Sequence, residues 1–86
     1  MEVFGLVSFK RYRDKVNGNN YFSGKIFINI DGVDQPNYLI MEFQYGDEPH
    51  IIAKEQLQLI YPDAKITVAK ANLGFVNMKE CKQYVK

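Results

Sequence analysis

Three observations predict an α+β fold: an antiparallel sheet of four to five strands, in the order β-β-β-α-β(-β), with one helix packed on one face. Period-2 alternation of apolar residues dominates the first half of the chain. The dipeptide Asn17-Gly18 separates two of the alternating runs. A single apolar series at i, i+4 and i+7 follows them. The 86 residues suffice for a single domain, 1–86.

The elements follow in order. From Val3 to Tyr12, Phe4 and Leu6 share one face of a strand and Val3, Val7 and Phe9 the other, with both faces turning polar towards Arg11. Asn17 and Gly18 both tolerate positive φ, which marks a turn. A second strand spans Tyr21 to Asp31, with Phe22, Ile26, Ile28 and Ile30 on one face and Lys25, Phe27 and Asn29 on the other. The two strands read as a long hairpin. After a turn at Asp31–Pro36, a third strand runs from about Asn37 to Tyr45. Strict alternation there puts Leu39, Met41, Phe43 and Tyr45 on one face and Tyr38, Ile40, Glu42 and Gln44 on the other.

Gly46-Asp47-Glu48-Pro49 reads as a helix start, with Asp47 placed to accept from free backbone N–H groups. Ala53, Leu57 and Ile60 then define the apolar stripe, and Pro62 stops the helix. Ile66 and Val68 mark a fourth strand, Asn72-Leu73-Gly74 a turn, and Phe75 to Met78 a short fifth strand. Residues 79–86 fit either a short helix or a frayed end. One helix covers one sheet face, so the other face is expected to carry Val7, Phe9, Phe27, Tyr38 and Ile40 in the open. That is more apolar surface than a small monomer normally exposes, and a homodimer or a partner protein would cover it.

Composition narrows the function classes. Eleven Lys and Arg stand against ten Asp and Glu, for a formal charge of +1. This disfavours a generic polyanion binder and an acidic nucleic-acid mimic. The lone cysteine, Cys81, cannot form an internal disulfide, which favours a reducing, cytoplasmic location. The apolar start, Met1 to Phe9, is too short and wrongly flanked for a signal peptide. No apolar run approaches the ~18 residues of a membrane span.

Catalytic and metal-binding signatures are equally sparse. His50 is the only histidine and falls at the helix start, so a triad or a zinc site lacks its parts. Asp31 and Asp34 flank Gly32 without the spacing of a calcium loop and read as turn residues. The six glycines are scattered, so no phosphate-binding loop forms. No cofactor and no enzymatic activity are expected.

Charge order is the most informative pattern. Residues 1–30 carry five basic and two acidic groups, residues 31–50 five acidic and no Lys or Arg, and residues 51–86 six basic and three acidic. The first block concentrates in Lys10, Arg11, Tyr12, Arg13 and Lys15, with Tyr21 across the hairpin. Basic groups interleaved with aromatics suit three settings. They suit a nucleic-acid backbone with stacked bases, an acidic protein surface, or a solvated hairpin end whose tyrosines pack across the strands. The acidic middle would accept a basic partner or the basic block of a second copy.

The segment from Ala53 to Ile66, a helix ending in Tyr61-Pro62 before a strand, is similar in style to segments of small proteins of phages and mobile elements. That resemblance implies an accessory protein, some of which inhibit host machinery by binding it. The expected function is therefore a non-enzymatic binding module acting on a host protein or protein–nucleic-acid complex. Lys10, Arg11, Tyr12, Arg13, Lys15 and Tyr21 form its expected partner-binding site. The alternative is a small OB-like binder of single-stranded nucleic acid.

Overall fold

In the computed structural model, which describes residues 1–86, β1 (Glu2–Asp14) and β2 (Asn19–Ile30) form a long antiparallel hairpin. It gives the molecule its length, 44 Å against 20 and 16 Å in the other directions. The Asn17-Gly18 signal is realised inside a four-residue loop, Lys15–Gly18. The Asp14 carboxylate organises this loop, accepting from the backbone N–H of Val16 at 3.0 Å and of Asn17 at 3.3 Å. Gly18 takes the positive φ, +71°, that closes it.

The remaining strands flank the hairpin. β3 (Val33–Asp34) and β4 (Leu39–Tyr45) pair with the outer edge of β2, both antiparallel. Helix α1 (Pro49–Ile60) then crosses the sheet, and β5 (Lys65–Phe75) joins the free side of β1. A short helix, α2 (Met78–Gln83), ends the regular structure. The expected α+β class and strand number are those observed. One pairing departs from the antiparallel expectation: β5 runs parallel to β1, because the crossover through α1 returns the chain in its former direction. The sheet stays open, with β5 at one edge and β3 and β4 at the other, so the OB-like closed barrel does not form.

Two sequence-based boundaries shift. Asn72-Leu73-Gly74 does not end a strand. Asn72 Oδ1 accepts from the Gly74 N–H at 2.8 Å, Gly74 adopts φ +93°, and the pairing with β1 slips between Phe9 and Arg11. The turn chemistry is spent on an irregularity within one strand, and the separate strand at 75–78 is replaced by the entry to α2. Residues 79–86 fall mostly within α2. Asn77 caps it by accepting from the Glu80 N–H at 2.8 Å, while the Glu80 carboxylate accepts from the Asn77 side chain at 3.1 Å.

The core lies between α1 and one sheet face. Val3, Val7 and Phe9 of β1, Phe22, Ile26 and Ile28 of β2, Met41 of β4 and Ile66 of β5 pack there beneath Ala53 and Leu57. Val7 and Phe9 are thus core residues, contrary to the expected open face, and Phe4 and Leu6 are the exposed pair. Both faces of β1 are apolar, so alternation alone does not say which one α1 covers. Gly5 decides it sterically. It sits opposite Leu57, and a Cβ at Gly5 would lie 2.7 Å from Leu57 Cδ1. Helix α1 reaches the core through Ala53 and Leu57, with Ile52 partly buried against it and Pro49 buried at its start; Ile60, at its end, is exposed.

Candidate functional site

The opposite sheet face, here the α2 face, gathers the even-numbered residues of β1 and the odd-numbered residues of β2. The register pairs Leu6 with Phe27, Ser8 with Lys25, Lys10 with Ser23 and Tyr12 with Tyr21. On β4 the alternation breaks. Met41 lies opposite Gly24 and Gln44 opposite Phe22, so Glu42 and Phe43 together occupy the place opposite Ser23. This bulge moves the second half of β4 by one residue. Leu39 and Met41 face the core as expected, whereas Phe43 and Tyr45 turn to the α2 face.

The result is an aromatic cluster drawn from three strands. Tyr21 and Phe43 lie parallel, with ring centroids 5.3 Å apart and planes 5° from each other. Tyr12 lies 6.2 Å from Tyr21 and 6.4 Å from Phe43. Tyr45 meets Tyr21 edge-on at 5.8 Å and is 63% exposed. Lys82 of α2 places its Nζ 5.2 Å from the Phe43 ring centre, a favourable cation–π position.

Helix α2 seals the middle of this face. Ser23 and Cys81 are both fully buried, and the Ser23 hydroxyl donates to the Cys81 carbonyl. The Cys81 thiol donates to the Lys10 carbonyl at 3.3 Å. Burial pushes that thiol above its ordinary pKa, an effect partly offset by the Ser23 hydrogen bonds and the Lys10 charge. Just beyond the helix, the Tyr84 hydroxyl meets Ser8 Oγ at 2.6 Å, and Lys10 and Lys25 hold their Nζ atoms 5.2 and 4.7 Å from the Tyr84 ring centre.

The pleat divides the expected binding residues. Lys10, Tyr12 and Tyr21 lie on the α2 face, whereas Arg11 and Arg13 point to the α1 side. Arg11 is engaged within the molecule. Its guanidinium sits 4.7 Å from the Phe75 ring centre and 3.7 Å from the Asp47 carboxylate. Asp47 also accepts from the Asn20 side chain at 2.6 Å, so it ties the hairpin to the loop before α1 rather than capping that helix. Arg13 reaches Asn20 at 3.4 Å, and Lys15 is exposed in the turn. The six residues therefore do not share one face of the sheet. Lys25, Phe43, Tyr45, Lys82 and Tyr84 join Lys10, Tyr12 and Tyr21 on the α2 face. Alternation places Lys25 there together with Phe27, as expected; the bulge that brings Phe43 and Tyr45, and the docking of α2 that brings Lys82 and Tyr84, are not visible in the linear pattern.

His50 lies half-buried at the start of α1 with its Nδ1 unpartnered, and Cys81 is under α2 on the other side of the sheet. No three His, Cys, Asp or Glu side chains converge as a metal site would require. No helix is long and apolar enough to cross a membrane. No protein-family model, no curated protein and no solved structure matches the chain.

Proposed function

We infer that the protein is a binding module without catalytic turnover, and that it engages a protein partner through the hairpin end of the α2 face. The observation carrying this reading is the cluster of Tyr12, Tyr21, Phe43 and Tyr45, assembled from three strands by a bulge and bordered by Lys10 and Lys82. Large, stiff aromatic rings supply contact area at low entropic cost, and they dominate interface energetics. Their mutual packing holds the rings in place before a partner arrives, which lowers the cost of ordering them. Lys10 and Lys82 would steer an acidic partner surface.

Full-length protein immobilised in extract of the cells that make it, treated with nuclease, tests the reading. A stoichiometric protein partner retained by the native chain and lost on Tyr45→Ala is the expected result. Retention of the same partner by Tyr45→Ala together with Tyr12→Ala would remove the cluster from the site.

A second reading draws on the same rings. One exposed and three half-buried aromatics on an open sheet, with lysines beside them, also suit unpaired bases. It requires labelled single strands to bind in a salt-dependent way and to be released by Tyr45→Ala. A flat salt response would leave only the protein partner.

A further inference from the structure

The part of the α2 face that α2 leaves uncovered is apolar. Phe4, Leu6, Phe27, Tyr38 and Ile40 each expose between 39 and 45% of their surface there. Phe27 and Tyr38 pack ring to ring at 5.4 Å, so the patch is continuous across β1, β2 and the start of β4. At roughly 200 Å² for a large apolar side chain, these exposures make a patch of about 400 Å². Patches of that size on a small protein are often functional.

The two ends of the patch carry opposite charge. At one end stand Glu2, Asp31 and Asp34, with Lys65 alone among them; Asp34 is held to the α2 face by the Asn29 side chain at 2.9 Å. At the other end stand Lys25 and Lys10, with Lys82 of α2 behind them. Helix α2 also forms a step. It covers Lys10 and Ser23, Tyr84 just past its end covers Ser8, and Leu6 and Phe27 are left exposed.

We propose that this patch receives a second copy of the chain, face to face and antiparallel about a twofold axis. Packed sheets lie about 10 Å apart, which is the layer α2 itself occupies. The sheet of the second copy would then abut α2, with its acidic end against Lys25 and Lys10, and the same contact would repeat on the other side. The apolar centre supplies about 400 Å² per copy, and the charged rims bring the total to the lower limit of a stable interface, about 600 Å² per copy. A micromolar dimer is the expected strength. Pairing by strand edges is disfavoured, since the β5 edge carries Lys65 and Lys70 and the irregularity at Gly74. The contact uses none of the clustered rings and shares only their lysine border with the partner reading, so Tyr45→Ala tells the two apart.

Sedimentation of the full chain from micromolar to near-millimolar concentration tests the proposal. The expected mass rises from one chain to two. Leu6→Glu, at an exposed position, abolishes the rise while the circular dichroism stays native. Lys25→Glu weakens the dimer several-fold, and adding Asp34→Lys restores it. Lys25 and Asn29, which holds Asp34, are about 13 Å apart along β2, so that rescue reports a contact between copies. Tyr45→Ala leaves the dimer intact. A single-chain mass at every concentration, or a dimer indifferent to Leu6→Glu, overturns the proposal; failure of Asp34→Lys to rescue overturns the antiparallel arrangement.

Discussion

The Ser23 hydroxyl donates to the backbone carbonyl of Cys81, joining the centre of β2 to α2 across 58 positions of sequence. Neither residue is accessible to water. A six-residue helix has too few internal hydrogen bonds to persist alone, so its docking depends on such tertiary contacts. Ser23→Ala would leave the buried carbonyl without its partner, at a cost of about 1–3 kcal/mol. Urea unfolding measures the loss, and amide exchange locates it, with protection falling first over residues 78–85. Unchanged stability and protection would show that α2 is held by its other contacts, the Cys81 thiol on Lys10 and Tyr84 on Ser8, without the Ser23 hydroxyl.

The same seal makes Cys81 a reporter. Its thiol is enclosed, and burial holds its pKa up. In the folded chain it should react with a thiol reagent only at the rate at which α2 opens, and Ser23→Ala should speed that reaction. The proton is bound more tightly in the folded state. The contribution is therefore complete below the pKa of an exposed thiol and falls as pH rises past it. Cys81→Ala should flatten this alkaline decline. Instant labelling of the native protein at neutral pH would contradict the enclosure.

Much of the element order was legible because it rests on local chemistry. The Asn17-Gly18 turn, the alternation of Tyr21 to Ile30 and the spacing of Ala53 and Leu57 each act within a few residues. What was not legible depends on contacts between distant segments. Val3, Val7 and Phe9 alternate with Phe4 and Leu6, and nothing local says that α1 takes the former. The bulge at Glu42-Phe43 sends Phe43 to Tyr21 instead of the core, and it is defined by the partner strand. The candidate site suffered most. Lys10 to Arg13 are adjacent in sequence, but the pleat sends Arg11 to Asp47 and Phe75 while Lys10 goes to Tyr84.

The hairpin loop should respond to acid. Asn17 donates to the Asp14 carboxylate from its side chain at 2.8 Å and from its backbone, and Val16 adds a third bond. These donors hold the Asp14 pKa below its ordinary value. The stabilisation is present in full above the pKa of an unstructured aspartate and is lost as pH falls through the lowered one. The amide resonances of Val16 and Asn17 should titrate together with Asp14 at that lowered pH, and Asp14→Ala should abolish the step and loosen the loop. Titration of these amides at the ordinary aspartate pKa would remove the carboxylate from the turn.

Gly5 and Leu57 should be energetically coupled, because the close approach of α1 to β1 depends on both. A methyl group at Gly5 would lie 2.7 Å from Leu57 Cδ1 and 3.3 Å from Ile26 Cγ2, and both neighbours are fully buried. Gly5→Ala overfills the core and should cost about 1–3 kcal/mol. Leu57→Ala removes the atoms that the methyl group strikes and leaves a cavity, costing about 2–5 kcal/mol. Made together, the two changes relieve each other, since the new methyl group enters space that Leu57 has vacated. The double variant should therefore lose less than the two single losses combined, by about 0.5–3 kcal/mol. Denaturant midpoints of the four chains measure this coupling. Strict additivity would mean that α1 shifts away from β1 to accommodate the methyl group, and that Gly5 does not set the height of the helix above the sheet.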